Sequence, residues 1–371
     1  MRSFAVCLFA LLLGAPGRVT AAADYPWPAW ESFKQAMVSA DGRVIDRSSP
    51  RLITTSEGQS YGLFFALLAD DRDSFARLLQ WTGNNLAAGK LGHRLPAWQW
   101  GRADDGDWRV LDDNNASDAD LWLAYSLLEA GRLWRRADYA ALGQQLLWRS
   151  AAQTVRKLPG LGLMLLPGDY GFDGTEGWRL NPGYLPLQQL ARFALVDTVW
   201  GELAANTRRL LLAGAPKGFA PDWLQWKTGQ GWAADPEHGA AGSYDAIRVY
   251  LWLGMLADDA PERERLQGHF APMAQLTARL GQPPEHIDAR SGDHWGVGPA
   301  GFSAALLPLL AATGEGGALQ AQRDRLRRAP PATDAYYAQV LYLFGWGWDE
   351  GRYRFDKDGR LLPAWIDRCK D

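Results

Sequence analysis

The sequence predicts an all-α protein in which an outer ring of helices encloses an inner ring. Apolar residues recur at the spacing of an α-helix in twelve stretches of the chain. Some stretches are apolar on nearly every side, whereas others carry charges on one face. The two kinds alternate along much of the chain, which indicates pairs of one buried and one half-buried helix. Six such antiparallel pairs, joined by short connections, would close a double ring of six inner and six outer helices.

Each of the twelve helices is expected from its own periodicity, near residues 28–40, 57–69, 73–87, 117–130, 136–157, 183–193, 197–213, 243–257, 260–280, 299–313, 316–328 and 333–345. The clearest inner segments, apolar all round, are 118–130, 245–256, 299–312 and 335–344. The clearest outer segments are 73–87, 137–157, 262–280 and 319–328. No linker rich in Pro, Gly or Ser divides the chain, so a single ring is favoured over the alternative of two separate bundles.

Two regions depart from the helical pattern. Residues 353–355 and 361–363 flank a polar turn, which predicts a small C-terminal β-hairpin. Residues 89–115 are rich in Gly, Asp and Trp and lack periodicity. They are interpreted as one long loop, and a loop of that length in a compact domain is usually functional.

The N-terminus predicts export. Residues 1–23 combine Arg2, an apolar stretch and a run of alanines, the pattern of a cleaved signal peptide. Residues 24–371 are then a single domain, periplasmic or secreted and with no membrane insertion after cleavage. Cleavage would also remove Cys7, leaving Cys369 without an internal disulfide partner. The formal charge falls from −3 to −5 without these 23 residues, which argues against nucleic acid or an anionic membrane as a partner.

Three distant blocks place acidic residues at expected starts of inner helices. They contain Glu57, the pair Asp118 and Asp120, and Asp245. Inner helices of such a ring all point the same way, so their first residues, together with Tyr184, meet at one mouth. Carboxylates on separate helices suit glycosidic-bond hydrolysis, because one must give a proton and another must take one.

Each acid also has a structural interpretation. Glu57 follows Ser and Thr residues and would complement the positive end of a helix. Asp120 would act as the acid of a capping box with Ser117, which leaves Asp118 free to point to the mouth. Asp245 would pair with Arg248 three residues on, and a buried pair would hold Asp245 ionised to accept a proton from water. As a general acid, Glu57 would need its pKa raised by desolvation or by neighbouring carboxylates.

Aromatic residues support a sugar substrate, since the chain has 19 Trp, 12 Tyr and 13 Phe. Trp98 and Trp100 alternate in the long aperiodic stretch, where their rings are expected to stack on sugar faces. The five His residues have no metal-ligand spacing, and there is no Gly-rich phosphate loop or nucleophile elbow. No metal and no cofactor are therefore predicted.

These blocks resemble glycoside hydrolase family 8. Residues 116–130 (ASDADLWLAYSLLEA) are similar to its signature, with Leu123 where Ile or Met is more usual. The resemblance extends over the mature chain, from Trp27 to Trp365, and is greatest to the periplasmic endoglucanases that accompany bacterial cellulose synthase. Gly183 stands where those relatives usually have Ser, which is expected to loosen the loop before Tyr184.

The resemblance implies an (α/α)6 toroid and an inverting endo-hydrolase of β-1,4-glucan (cellulose) in functional association with a cellulose synthase complex. It implies Glu57 as general acid and Asp245 as general base, with their carboxyls roughly 6.5–9.5 Å apart. It also implies Asp118 as a third catalytic carboxylate, which would orient the distorted sugar. Residues expected to bind substrate or support the site are Trp98, Tyr184, Tyr244, Arg248 and Asp120. The alternatives are hydrolysis of chitosan, xylan or mixed-linkage glucan, and a glycan-binding assembly factor with vestigial activity.

Overall fold

The computed structural model describes residues 26–175 and 177–368. Twelve helices of eight or more residues lie within this part of the chain. In chain order they are α1 (Pro28–Met37), α2 (Ser56–Leu68), α3 (Arg72–Asn85), α4 (Ser117–Leu133), α5 (Ala137–Thr154), α6 (Leu187–Ala194), α7 (Val199–Gly214), α8 (Ile247–Gly254), α9 (Arg263–Leu280), α10 (Ala300–Ala312), α11 (Gly316–Arg328) and α12 (Tyr336–Asp349). Odd-numbered helices form the outer ring and even-numbered helices the inner ring.

Burial separates the two rings as the sequence predicts. In α2 every residue except Glu57 is buried, because the helix is apolar on all sides. In α11 only Ala318, Gln322 and Leu326 are buried, at the four-residue spacing of a single helix face. Packing between rings, rather than intrinsic helix propensity, therefore decides which helix lies inside.

The inner helices close a complete ring. Each inner helix from α2 to α12 contacts the next inner helix along the chain, and α12 also contacts α1. The ring closes where Phe344 of α12 packs against Phe64 and Phe65 of α2, with centroid separations of 5.4 and 4.7 Å. Trp122 of α4 and Trp252 of α8 also contact Phe344 and each other. These contacts confirm the predicted (α/α)6 toroid.

Short strands occupy mainly the long connections that lead from an outer helix to the next inner helix. They are β1 (Thr54–Thr55), β2 (Gln99–Arg102), β3 (Trp108–Asp112), β4 (Val155–Leu158), β5 (Gly162–Leu165), β6 (Asp173–Gly174), β7 (Gly177–Leu180), β8 (Leu224–Lys227), β9 (Gly231–Ala234), β10 (Ala241–Gly242), β11 (His286–Asp288) and β12 (His294–Trp295). All pairings are antiparallel, in the orders β1-β2-β3, β4-β5, β6-β7-β8-β9 and β10-β11-β12. These connections lie at the end of the ring where inner helices begin, and they build the rim of its mouth.

The opposite end of the ring carries the predicted C-terminal hairpin. Strands β13 (Tyr353–Phe355) and β14 (Leu361–Pro363) pair as expected, and a short helix α13 (Trp365–Arg368) follows. Leu361 N donates to Glu129 of α4, which fixes the hairpin against the inner ring.

Two expectations need correction, and a third concerns residues outside the described part of the chain. The stretch 89–115 is not one loop, because β2 and β3 form a hairpin around the turn at Gly106, and β2 also pairs with β1. The inner helices α6 and α8 begin several residues later than expected, at Leu187 and Ile247. The proposed signal peptide, Cys7 and Cys369 fall outside the described residues. No helix in the described part is both long and apolar enough to cross a membrane.

Candidate active site

Arg248 joins the three predicted acids at the mouth of the ring. Its Nη1 donates to Glu57 Oε2 at 2.6 Å and to Asp118 Oδ2 at 3.2 Å. Its Nη2 donates to Asp245 Oδ1 at 2.5 Å. Arg248 is only 3% exposed, so one buried cation faces three carboxylates that come from three separate inner-helix starts. The sequence predicted the pair with Asp245 but not the links to Glu57 and Asp118.

Glu57 lies in the first turn of α2, behind a capping threonine. Thr55 Oγ1 accepts a hydrogen bond from Gly58 N, so the cap satisfies the helix end without using the Glu57 side chain. Tyr336 OH donates to Glu57 Oε1 at 3.5 Å. Burial raises the pKa of Glu57, and Asp245 adds to the rise while Arg248 opposes it. A carboxyl with a raised pKa suits the role of a proton donor.

Asp118 is buried within the first turn of α4. Its Oδ2 accepts from Arg248, while its Oδ1 has no hydrogen-bond partner among the described residues. Burial raises the pKa of Asp118 to about 7, with Arg248 opposing the rise and Glu57 adding to it. An unpartnered buried carboxylate oxygen at the mouth is available to a sugar hydroxyl.

The capping box predicted for Ser117 and Asp120 is wrong. Helix α4 is capped by Ala116, with no side-chain cap, and the Ser117 hydroxyl has no partner in the described structure. Asp120 Oδ2 instead accepts from Asn115 Nδ2 at 2.6 Å, and burial raises its pKa well above the usual value. Asn115 Oδ1 in turn accepts from Asp169 N. Asp120 is 0% exposed and, through Asn115, connects the start of α4 to the loop that contains Asp169.

Asp245 lies in a turn that precedes α8. Two residues that the sequence did not indicate, Asp222 and Trp223, hold that turn. Asp222 Oδ1 accepts from the backbone N–H groups of Ser243, Asp245 and Ala246, at 2.8, 3.0 and 2.7 Å. The indole N–H of Trp223 donates to Asp245 Oδ2 at 3.2 Å. Burial and the nearby Asp245 raise the pKa of Asp222, against the effect of the three N–H groups. Neither residue has a periodic or spacing signal, since both lie in an aperiodic connection.

Tyr184 faces the same guanidinium. Its ring centroid lies 5.2 Å from the Arg248 Cζ atom and 6.0 Å from the Trp223 ring. The preceding Gly183 allows a close approach, because a Cβ there would lie 2.6 Å from the Asp245 carbonyl oxygen. Its N–H donates to Asn181 Oδ1 and its carbonyl accepts from Trp252 Nε1. The loop is therefore held tightly, contrary to the loosening expected from the exchange of Ser for Gly.

The other residues predicted to bind sugar, Tyr244, Trp98 and Trp100, lie in three different environments. Tyr244 is 43% exposed, with its hydroxyl donating to Glu285 Oε1 at 2.7 Å. Trp98 is half-buried and adjoins Glu57, because its carbonyl accepts from Ser56 N at 3.0 Å. Trp100, also expected to stack on sugar, instead packs against Trp81 and Trp108 with the Arg43 guanidinium over its ring.

One cluster has the geometry of a metal site among the described residues. Ligand atoms of Asp235, Glu237 and His238 lie within 4.8 Å of one another. Arg179 already contacts both carboxylates, at 2.8 Å to Asp235 and 2.9 Å to Glu237. The Asp235 carboxylate also accepts from two backbone N–H groups. An arginine fills the position that a cation would take, so this cluster is an ion-pair network that supports β7.

Known proteins match the chain closely. The "Endoglucanase" of Salmonella typhi is 52% identical over 351 residues, covering 95% of this chain and 94% of that protein. The "Endoglucanase" of Escherichia coli strain K12 is 50% identical over 343 residues, covering 92% of each. The crystal structure of the endo-1,4-D-glucanase from Vibrio fischeri ES114 superposes with a TM-score of 0.85 at 44% identity, covering 92% of this chain and 100% of that one.

The family assignment rests on these relatives and on a match along most of the chain. Residues 6–351 match the sequence profile described as Glycosyl hydrolases family 8. The fold agrees, because the ring of six inner and six outer helices is shared with the superposed structure. The chain therefore belongs to glycosyl hydrolase family 8 and is a glycoside hydrolase.

Proposed function

We propose that this hydrolase is an inverting endo-β-1,4-glucanase that trims cellulose during its synthesis and export. The observation that carries the proposal is the guanidinium of Arg248, whose two terminal nitrogens bind Glu57 and Asp245 separately. One buried cation thus binds both carboxylates, each through a different nitrogen. Inversion requires the two carboxyl groups to lie roughly 6.5–9.5 Å apart, because a water must fit between the base and the sugar.

Glu57 acts as the general acid. Arg248 donates to Oε2 at 2.6 Å, whereas Oε1 has only the long 3.5 Å contact with Tyr336 OH, so Oε1 is the oxygen that carries the proton. The proton passes to the glycosidic oxygen as the bond between that oxygen and the anomeric carbon breaks, and Glu57 becomes a carboxylate. Arg248 then stabilises the new negative charge through a contact that is already formed.

Asp245 acts as the general base on the opposite face of the sugar. It takes a proton from a water whose oxygen attacks the anomeric carbon, and it becomes a carboxylic acid. Proton exchange with solvent restores both groups. Tyr184 lies beside the same guanidinium, where it positions the water or the sugar. Asp118 offers its unpartnered Oδ1 to a hydroxyl of the distorted sugar.

The names of the relatives support a β-1,4-glucan substrate. Chitosan, a cationic alternative, would favour free acids along the cleft. Three acids between β2 and β3 could serve this purpose, but each lies within 4 Å of an arginine, Arg51 or Arg109: Asp104, Asp105 and Asp107. These arginines neutralise the acids in ion pairs, which argues against a cationic substrate. A pure glycan-binding assembly factor would have no use for three carboxylates gathered on one buried arginine.

The role in cellulose synthesis is supported by the predicted signal peptide and by the resemblance to endoglucanases that accompany cellulose synthase. It implies a periplasmic or secreted protein that meets the glucan as it leaves the cell. Deletion of the gene in its host, followed by complementation with the Glu57→Gln variant, tests this role. Cellulose of altered amount or chain length that only the active protein restores would support it.

The reaction itself is tested on soluble carboxymethyl-cellulose, chitosan and xylan with the wild-type protein and Glu57→Gln. We expect loss of viscosity on the cellulose derivative alone, and none with the folded variant. Proton NMR during hydrolysis of cellohexaose should first detect the α-anomer, as inversion of a β-linkage demands. Initial release of the β-anomer would rule out the assigned roles of Glu57 and Asp245.

A further inference from the structure

Trp295 is an exposed tryptophan on the rim of the mouth. It lies on β12, in the connection from α9 to α10, and all such connections lie at the end where the inner helices begin. Its side chain is 53% exposed, which is unusual for so large an apolar group. No described side chain accepts a hydrogen bond from its indole nitrogen, so no polar contact of the indole accounts for its position.

One face of the Trp295 ring is backed by a second ring. His286 lies directly opposite on β11, and the two rings stack with centroids 5.5 Å apart and planes 19° from parallel. The next residue, Ile287, is buried, so His286 and Trp295 occupy the solvent-facing side of this small sheet. The stack fixes the indole with its other face open.

The sheet that carries this stack is attached to residues 243–246, the turn that contains Asp245 and is called the catalytic turn here. Strand β11 pairs with β10, and β10 leads directly into Ser243, Tyr244 and Asp245. Ser243 Oγ donates to the Glu285 carbonyl oxygen and Tyr244 OH donates to the Glu285 carboxylate, both at 2.7 Å. Trp295 therefore lies two strands from the catalytic turn, about 10 Å across the sheet.

The hairpin is held rigidly. The Asp288 carboxylate accepts from the N–H groups of Arg290 and Ser291, and its carbonyl accepts from Gly292 N. Asp293 accepts from the Ser291 hydroxyl in the same turn. A ring presented by an ordered turn loses little conformational freedom on binding, which favours recognition of a ligand.

We infer that Trp295, stacked on His286, is a distal sugar-binding platform that holds a β-1,4-glucan chain on the Asp245 side of the cleft. The inference rests on the proposed function and extends it to a subsite beyond the catalytic carboxylates. A flat, half-open indole suits the apolar face of a glucose ring. A chain long enough to reach from Asp245 to Trp295 gains this contact, and a short oligosaccharide does not.

Trp148 provides a matched control. It is 60% exposed, but it lies on the outer helix α5, beside an apolar pocket lined by Leu147, Val196 and Trp200, and away from the mouth. Loss of either ring removes a similar exposed surface. Only loss of Trp295 should change how the protein distinguishes long from short glucans.

The test measures dissociation constants for cellotriose and cellohexaose in proteins that carry Glu57→Gln, which prevents turnover. We expect Trp295→Ala to weaken cellohexaose binding roughly three- to tenfold more than cellotriose binding. Trp295→Phe should restore most of the difference, and Trp148→Ala should leave the ratio at its original value. Circular dichroism checks folding.

The ratio compared is that of the dissociation constants for cellotriose and cellohexaose. If Trp295→Ala leaves this ratio unchanged, or if Trp148→Ala changes it equally, Trp295 is not a sugar-binding platform. The proposed function is judged separately by the otherwise wild-type protein. If that protein cleaves cellohexaose and Trp295→Ala retains the original ratio, only the platform fails. If it binds neither oligosaccharide, the β-1,4-glucan assignment fails as well.

Discussion

The indole nitrogen of Trp223 lies 3.2 Å from Asp245 Oδ2, on the oxygen that Arg248 does not use. Each oxygen of the proposed base therefore has one donor, and the carboxylate is fixed in rotation. The Trp223 ring is itself held, since Phe172 stacks on it with planes 3° from parallel and Arg179 lies over it at 5.2 Å. Trp223 is a positioning residue for Asp245.

Trp223→Phe should lower kcat about tenfold with little change in KM, because phenylalanine keeps the stack but loses the N–H donor. Steady-state kinetics on a cello-oligosaccharide give both constants. The control is Trp226→Phe, which removes an indole N–H that donates to the Pro159 carbonyl oxygen. A rise in KM at unchanged kcat would instead make Trp223 a sugar contact.

Asp222 holds the backbone of the same turn through three N–H groups. Asp222→Ala should reduce kcat about 100-fold, because an unsupported turn moves Asp245 away from the attacking water. Asp222→Asn keeps an acceptor oxygen and should recover most of this loss. The control is Asp356→Ala, which removes a carboxylate that accepts two backbone N–H groups in the C-terminal hairpin. Equal losses in Asp222→Ala and Asp356→Ala would indicate a purely structural effect.

Periodicity predicted the helices well because each helix must match the apolar or mixed environment of its ring. It could not predict the strands of the connections, since strands of two to five residues are too short to show alternation. The capping box failed for a local reason. Ser117 and Asp120 have the right spacing, but α4 is capped by Ala116, so Ser117 is already inside the helix.

The candidate site was only partly predictable, because only contacts between residues close in the chain leave a spacing signal in the sequence. Sequence spacing encodes the local pair of Asp245 and Arg248, which are three residues apart. Arg248 is 191 residues from Glu57 and 130 from Asp118, so those contacts depend on ring closure. Expecting the inner helix starts to meet at one mouth brought the acids together, but it did not indicate which cation would lie between them.

The raised pKa of Asp118, about 7 against an ordinary 3.8, links its protonation to stability. Between about pH 4 and pH 7 the folded protein keeps a proton that the unfolded chain has released. The free energy of unfolding therefore falls as pH rises through this window. Asp118→Asn should reduce the fall in the free energy of unfolding by about 3 kcal/mol between pH 4.5 and pH 7.5.

Urea unfolding at pH 4.5 and pH 7.5 measures this difference. The exposed Asp104→Asn is the control, because Asp104 is 87% exposed and its ion pair is on the surface. A pH dependence that is as steep in Asp118→Asn as in the wild-type protein would contradict the link between burial of Asp118 and stability.

Glu129 joins the inner ring to the C-terminal hairpin and should be important for stability. It is fully buried, contacts Arg132 at 2.5 Å and Arg192 at 2.6 Å, and accepts from Leu361 N. Glu129→Gln leaves both arginines without their anion and should lower the free energy of unfolding by about 3 kcal/mol. Urea denaturation measures this loss. Glu31→Gln breaks an exposed pair with Lys34 and should cost less than about 1 kcal/mol. If the two variants lost equal stability, the hairpin would be held by its apolar contacts rather than by the buried carboxylate.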